Sequence, residues 1–186
     1  YVFAVVQAAQ YKRLEAIKHP DWVQAMTILI NISIKQQVLT LIDNGSVIKC
    51  FKVSTSLKGI GQIKNSFQTP IGRHYIRAKI GKDQPILTIF EGRRPTGQIW
   101  TNSHLNSKPN HDWILSRILW LSGKELGLNR LGNSDTMQRY IYIHGTADED
   151  KLGKPLSHGC IRMSNNDVIE IFDLIHVGTI VDINEE

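Results

Sequence analysis

Hydrophobic and polar residues alternate over much of the chain after residue 26. In the segment TILINISI, isoleucine occupies every second position from 28 to 34, a period that is typical of a β-strand with one buried face. The tripeptide DNG at 43–45 separates this run from the alternating segment VIKCFKVS at 47–54. Asp and Asn before Gly favour the backbone angles of a tight hairpin turn. The pattern therefore predicts that the domain opens with a β-hairpin.

Four further segments have the composition of strands, namely residues from about 74 to 79, then 85–90, 139–145 and 178–183. The segment WILSRILWLSG at 113–123 fits both a helix face and strand alternation, so its pattern leaves both structures open.

One segment has a clear helical period. Ser164 is a suitable N-cap and Asp167 lies in the first turn, where a negative charge is favoured. One face of this helix is expected to be apolar, formed by Val168, Ile171, Phe172 and Ile175.

Residues 92–110 are rich in Gly, Pro, Asn and Ser and are predicted to be mostly loop. Residues 1–26 differ from the rest and are predicted to form a short helical N-terminal extension before a domain at 27–186. The expected fold is a mainly β domain with one helix near its end.

The composition is that of an ordinary soluble domain, with 41% hydrophobic and 21% charged residues over 186 positions. No run of 18 apolar residues occurs, so no transmembrane segment is predicted. The formal net charge is +5, but the basic residues are scattered and form no run of five or six. Nucleic-acid binding is therefore not expected.

Cys160, in the segment LSHGCIRM, is the first candidate for chemistry. Gly159 removes side-chain bulk beside it, and a helix cap follows four residues later. Amides near a helix start favour a thiolate over a thiol, so Cys160 is expected to be an ionised nucleophile. The amides of Gly159 and Cys160 are candidates for an oxyanion hole. The alternative is a buried, inert cysteine, which is the interpretation for Cys50 as a small core or half-buried strand residue.

His144 is the candidate general base, because it ends a predicted strand and is followed at once by Gly145. A strand end is a rigid support beside an open loop, as a base requires; a core histidine is the alternative. His158 is expected to orient or bind substrate, and Arg162 to bind a carboxylate through a bidentate contact. Arg162 is otherwise a surface arginine.

A metal site is not predicted. His74, His104, His144, His158 and Cys160 are possible ligands, but no pair has the close spacing of a structural zinc site.

Together, YIYIHGT and SHGCIRMSNNDVIEIFDL resemble the active-site signature of the L,D-transpeptidase catalytic domain (YkuD family). The resemblance extends to the hairpin TLIDNGSVIKCFKVSTS, to QTPIG at 68–72 and to the final VGTIVDI, and it covers roughly residues 27–183. It implies an L,D-transpeptidase-like β-sandwich with a helix after the cysteine loop, and a strand at 113–123.

The resemblance also implies roles for single residues. Cys160 matches the nucleophile, His144 the base, and Gly145 the position whose carbonyl holds the imidazole in one tautomer. The loop that shapes the substrate and oxyanion site is matched by Ser157, His158 and Gly159, and Arg162 matches a position often occupied by Arg or Asn. No LysM-like wall-binding repeat is found.

The implied reaction is peptidoglycan cross-linking through a Cys160 thioester. The thiolate attacks a stem tetrapeptide, D-Ala leaves, and an amine of a second stem or of a wall lipoprotein attacks the thioester. No metal or organic cofactor is needed, and the implied location is the periplasm or cell envelope. A limiting electrophile, or a carbapenem as the resemblance implies, is expected to label Cys160 and to spare Cys50.

Two alternatives remain open at this point. A hydrolase, either an L,D-carboxypeptidase or an amidase, would use the same residues with water as acceptor, and a non-catalytic wall-binding module would need neither Cys160 nor His144. The polar segment TADEDKLGKPL at 146–156 is expected to be a mobile surface loop at the substrate cleft.

Overall fold

The computed structural model describes residues 28–108 and 111–186. The predicted N-terminal extension at 1–26 lies outside the described residues. Among those described, ten strands and two α-helices occur in this order: β1 Leu29–Ser33, β2 Val38–Asp43, β3 Ser46–Lys52, β4 Gly72–Ile80, β5 Thr88–Glu91, β6 Arg94–Ile99, α1 Asn102–Ser107, β7 Leu115–Gly123, β8 Tyr142–Gly145, β9 Ile161–Met163, α2 Asn165–Leu174 and β10 Ile180–Asn184. The fold is mainly β, as predicted.

The hairpin and the long helix form where local sequence signals predict them. Asn44 and Gly45 connect β2 to β3, and the Oγ of Ser164 accepts a hydrogen bond from the Asp167 amide at the start of α2. Val168, Ile171 and Phe172 are buried on one face of that helix. These predictions depend on residues within one turn of each other, and all of them are confirmed.

The strands join into one sheet. Its order is β3-β2-β1-β10-β4-β7-β5-β6, while β8 pairs with β7 and β9 pairs with β8. Buried residues of β1, such as Ile30, share one hydrophobic cluster with Ile143 of β8, Ile161 of β9 and Val168 of α2. Because β1 and β8 are far apart in the strand order, the sheet must curve around this core.

β7 explains why residues 113–123 fit two patterns. Eight of the nine positions in Leu115–Gly123 are buried, since β7 lies in the sheet between β4 and β8. A strand that is covered on both faces has no polar face and therefore loses the alternation of period two. The strand implied by the family resemblance is confirmed.

Two predictions were wrong. Residues 92–110 contain β6 and α1 as well as loop; β6 is exposed at every position and α1 buries no residue, so neither has a hydrophobic pattern. Cys50 is exposed, because β3 is the edge strand and within it only Phe51 is buried.

Candidate active site

Strand pairing brings Cys160 and His144 to the same part of the sheet. β8 and β9 are parallel neighbours, with Ile143 opposite Ile161 and His144 opposite Arg162. Cys160 directly precedes β9. Side chains in register lie on the same face and every second residue returns to it, so this alternation places Cys160 and Arg162 on the face of His144.

The His144 imidazole has a defined tautomer. It is 1% exposed, and its Nδ1 lies 2.8 Å from the Gly145 carbonyl oxygen. A carbonyl oxygen only accepts, so Nδ1 carries the proton and Nε2 carries the lone pair of a base. Nε2 is buried and has no hydrogen-bond partner among the described residues. Burial lowers the pKa of His144, while the Asp112 carboxylate acts in the opposite direction.

Gly145 is required by the close packing of β8. A Cβ atom at this position would lie 2.8 Å from the Leu115 carbonyl oxygen and would also clash with Oδ1 of Asn165. A side chain here would force β8 away from β7 and would move the carbonyl that orients His144. The His-Gly pair therefore has a steric reason as well as a hydrogen-bonding one.

Cys160 is half-buried as a free thiol. Its Sγ accepts a hydrogen bond from the Tyr142 amide at 3.4 Å and donates to the Tyr140 carbonyl at 3.5 Å. The first contact favours a thiolate and the second favours a thiol.

Burial decides the protonation state of Cys160. It raises the pKa of the thiol to about 12, although the Tyr142 amide lowers it. The Asp112 carboxylate raises this pKa further, and the guanidinium groups of Arg162 and Arg139 lower it. The expectation of an ionised cysteine was wrong, because β9 separates Cys160 from the start of α2 and the sulfur is desolvated.

The loop before Cys160 is held by its own hydrogen bonds. The Ser157 hydroxyl donates to the Cys160 carbonyl at 2.6 Å and accepts from the Gly159 amide at 3.2 Å. The Gly159 amide is therefore engaged and is not a free oxyanion donor, which leaves the Cys160 amide as the candidate. Gly159 has a φ of +120°, and a Cβ atom here would lie 3.1 Å from the Gln68 carbonyl oxygen.

Thr69, in the QTPIG motif, ties a distant loop to the cysteine loop. Its buried hydroxyl donates to the Gly159 carbonyl at 3.1 Å and accepts from the Ser56 amide at 3.0 Å. Arg139 holds the same loop through Nη2, which donates to the Gln68 carbonyl at 2.6 Å. The motif thus supports the backbone around Cys160.

Arg162 does not offer a free guanidinium to a substrate. The residue is 5% exposed, with Nη2 lying 2.9 Å from Asp112 Oδ2 and Nη1 lying 3.3 Å from Asp148 Oδ2. Both terminal nitrogens are paired with carboxylates of the protein itself. Arg162 is therefore not the surface arginine that was the alternative. The expected contact with a substrate carboxylate does not match this arrangement, because the guanidinium is already paired.

Asp112 is the site residue that the sequence did not reveal. Besides Arg162, its Oδ2 lies 3.3 Å from Nδ1 of His158, whose side chain is 62% exposed. Burial alone would raise the pKa of Asp112, but His144 in its protonated form, the Arg162 guanidinium and His158 lower this pKa below its usual value. No local signal marks Asp112, since its partners follow it by 32 to 50 positions in the chain.

Two cavities meet at His158. The smaller has a volume of about 270 Å³ and contains Cys160, with Arg139, Lys64 and Tyr140 among its other lining residues. The larger has a volume of about 380 Å³, and its lining residues include Asp112, Asp148 and Arg162. The thiol thus lies beside a basic cavity, with the Asp112–Arg162 pair on the far side of His158.

The segment 146–156 borders the larger cavity, and its expected place at the substrate cleft stays a prediction. Ala147, Asp148, Lys151 and Leu156 are among the residues that line it. Asn165 at the start of α2 holds this segment by donating to the Thr146 carbonyl at 2.8 Å. Its mobility stays a prediction.

Comparison with known proteins identifies the family of this domain. The family model for the L,D-transpeptidase catalytic domain (YkuD) matches residues 27–183. The chain belongs to this family. It is 30% identical over 155 residues to YkuD of Bacillus subtilis (strain 168), described as an L,D-transpeptidase, and this match covers 83% of the chain and 65% of the relative.

Solved L,D-transpeptidases share the fold. The chain matches one from Mycobacterium smegmatis at 20% identity and a TM-score of 0.52, covering 86% of this chain and 59% of that one. It also matches L,D-transpeptidase 3 of Mycobacterium tuberculosis in complex with a faropenem-derived adduct, at 14% identity and a TM-score of 0.53, covering 86% and 61%. The chain therefore spans about three fifths to two thirds of the length of these relatives.

Proposed function

We propose that this L,D-transpeptidase-family domain cross-links peptidoglycan stem peptides through a thioester on Cys160. The observation that supports the proposal most is the fixed orientation of the His144 imidazole. Its Nδ1 is held by the Gly145 carbonyl, so its basic Nε2 is available on the face of the sheet that also carries Cys160.

In the first half-reaction, Sγ of Cys160 attacks the carbonyl carbon of the amide between diaminopimelate and D-Ala. The thiol proton moves to Nε2 of His144 as the carbon–sulfur bond forms. The carbon–nitrogen bond then breaks, and the amine of D-Ala takes the proton from His144 and leaves. The Cys160 amide is the proposed donor to the oxyanion.

In the second half-reaction, a primary amine attacks the thioester carbonyl. The amine loses its proton to His144, the carbon–sulfur bond breaks, and Cys160 recovers the proton. The amine belongs to the diaminopimelate of a second stem or to a wall lipoprotein, and the proposed location is the periplasm or cell envelope. No helix within residues 28–108 and 111–186 is long and apolar enough to cross a membrane.

Proton transfer is proposed to accompany nucleophilic attack. Burial raises the pKa of Cys160 and lowers that of His144, so both groups are neutral in the free enzyme at pH 7. A neutral thiol beside a neutral imidazole reacts slowly unless an electrophilic carbon is held where the sulfur can attack it. This arrangement slows the reaction of the thiol with electrophiles that the site does not bind.

Incubation of the protein with a purified disaccharide-tetrapeptide, followed by mass spectrometry, tests the proposal. A cross-linked dimer with loss of one D-Ala supports it, and Cys160→Ala is the matched inactive control. A trimmed monomer without dimer would establish the hydrolase instead. No change in the substrate would support a non-catalytic module and overturn the proposal.

A further inference from the structure

We infer that Asp112 is a positioning residue, whose half-buried carboxylate holds Arg162 across His144 and stabilises the imidazolium that forms when Cys160 gives up its proton. The inference rests on the proposed roles of Cys160 and His144.

Strand order puts Asp112 beside the imidazole. β8 lies between β7 and β9, with Gly145 opposite Leu115 on one side and His144 opposite Arg162 on the other. Asp112 stands three residues before Leu115, so it approaches from the β7 side. The 2.9 Å ion pair between Asp112 and Arg162 therefore spans β8 at the level of His144.

Three buried polar atoms in this cluster lack a partner among the described residues. They are Oδ1 of Asp112, Nε2 of His144 and Nε of Arg162. A buried carboxylate oxygen without a donor is costly in the resting state. A positive charge on the neighbouring imidazole offsets part of that cost, so the site is arranged for the protonated state of His144.

The charges around the reacting pair act in opposite directions. On His144, Asp112 favours the imidazolium and Arg162 opposes it. On Cys160, Asp112 opposes the thiolate while Arg162 and Arg139 favour it. The remaining titratable groups of the cluster are His158, which faces Asp112, and Asp148 with its own partner Lys151.

Because Asp112 favours the imidazolium but opposes the thiolate, its removal is expected to change how the reactivity of Cys160 depends on pH. A purely structural role of Asp112 would not change that pH dependence. In a Cys50→Ser background, the rate of iodoacetamide alkylation reports Cys160 alone. At pH 7 the reaction depends on the thiolate–imidazolium pair. At pH 10 a much larger fraction of the thiol ionises directly to solvent than at pH 7, while His144 stays neutral. The ratio of the two rates cancels any change in reagent access that is the same at both pH values, and circular dichroism at each pH verifies that the variant is folded.

Asp112→Asn is expected to lower the ratio of the pH 7 rate to the pH 10 rate by about tenfold, the effect of about one pKa unit. The rate at pH 7 falls because the imidazolium loses its counter-charge. The rate at pH 10 is maintained or rises because the negative charge near the thiol is gone. Asp112→Glu, which keeps the charge, is expected to restore most of the ratio.

Asp148→Asn is the matched control, because it removes the other carboxylate bound to Arg162. It is expected to leave the ratio within about twofold of the parent, well under one pKa unit. An unchanged ratio in Asp112→Asn, or an equal fall in Asp148→Asn, would overturn the role of Asp112. Asp112→Ser gives the same test if the Asn variant does not fold.

His144→Ala separates this inference from the proposed function. An unchanged ratio in His144→Ala would remove the base assignment itself. A lower ratio in His144→Ala with an unchanged ratio in Asp112→Asn would leave the base in place and exclude Asp112 alone.

Discussion

Cys50 lies on β3, an exposed edge strand, whereas Cys160 lies where the cysteine loop enters β9, inside the sheet. Sγ of Cys50 is exposed and has the Thr40 hydroxyl 3.7 Å away. Sγ of Cys160 contacts the backbone of Tyr140 and Tyr142 and belongs to a cluster with Phe90 and Ile118. Few neighbours affect the ionisation and access of the Cys50 thiol, whereas many affect those of the Cys160 thiol.

The difference shows that reactivity toward a general reagent and competence for catalysis are separate properties. Burial makes ionisation of the Cys160 thiol unfavourable. The reactivity of this thiol therefore depends on His144 and on a substrate carbonyl placed beside the sulfur. The sequence-based expectation that a limiting electrophile labels Cys160 and spares Cys50 therefore holds only for reagents that occupy the active site.

The largest expected difference is in catalysis. Cys160→Ser is expected to lower cross-linking by at least about 10³-fold, because a hydroxyl is much harder to deprotonate than a thiol. Cys50→Ser is expected to keep activity within about twofold, since an exposed substitution removes little packing. Dimer formation measured by mass spectrometry compares the two. Full activity in Cys160→Ser would end the nucleophile assignment.

The next effect concerns the base. His144→Ala is expected to lower cross-linking by about 10²–10⁴-fold while the fold survives, since general-base catalysis contributes about that much. Circular dichroism verifies the fold, and initial rates of D-Ala release give the loss. Near-parental rates in a folded variant would contradict the role of His144.

Selective labelling sharpens the comparison of the two thiols. At pH 7 a thiol with a pKa of about 12 is ionised to only about one part in 10⁵. One equivalent of iodoacetamide is therefore expected to modify Cys50 at least about tenfold more than Cys160, by peptide mapping. A carbapenem, which the family resemblance implies as an acylating agent of the active-site cysteine, is expected to modify Cys160 instead. A carbapenem found mainly on Cys50 would break the comparison.

The smallest effect is on stability and concerns two threonines, Thr69 near Cys160 and Thr40 beside Cys50. Thr69→Val removes a buried hydroxyl that bonds Gly159 and Ser56, and it is expected to cost about 1–3 kcal/mol in the free energy of unfolding. Thr40→Val beside Cys50 is expected to change it by less than about 0.5 kcal/mol. Urea unfolding measures both. Equal losses would show that the two regions are supported to the same degree.

Local features of the fold were predictable from the sequence. The hairpin at 43–45, the Ser164 cap and the apolar face of α2 depend on residues close together in the chain. β6 and α1 were not predicted, because an element that buries none of its residues has no hydrophobic period.

By itself, the sequence determined the mainly β class, the pairing of His144 with the Gly145 carbonyl, and the family to which the SHGC segment belongs. Only the tertiary structure decided the protonation state of Cys160, the engagement of the Gly159 amide by Ser157, and the partners of Arg162. Burial and ion pairing depend on which strands become neighbours. Asp112 and Arg162 are 50 positions apart in the chain, and they meet because β8 pairs on one side with β7, which follows Asp112, and on the other with β9, which carries Arg162.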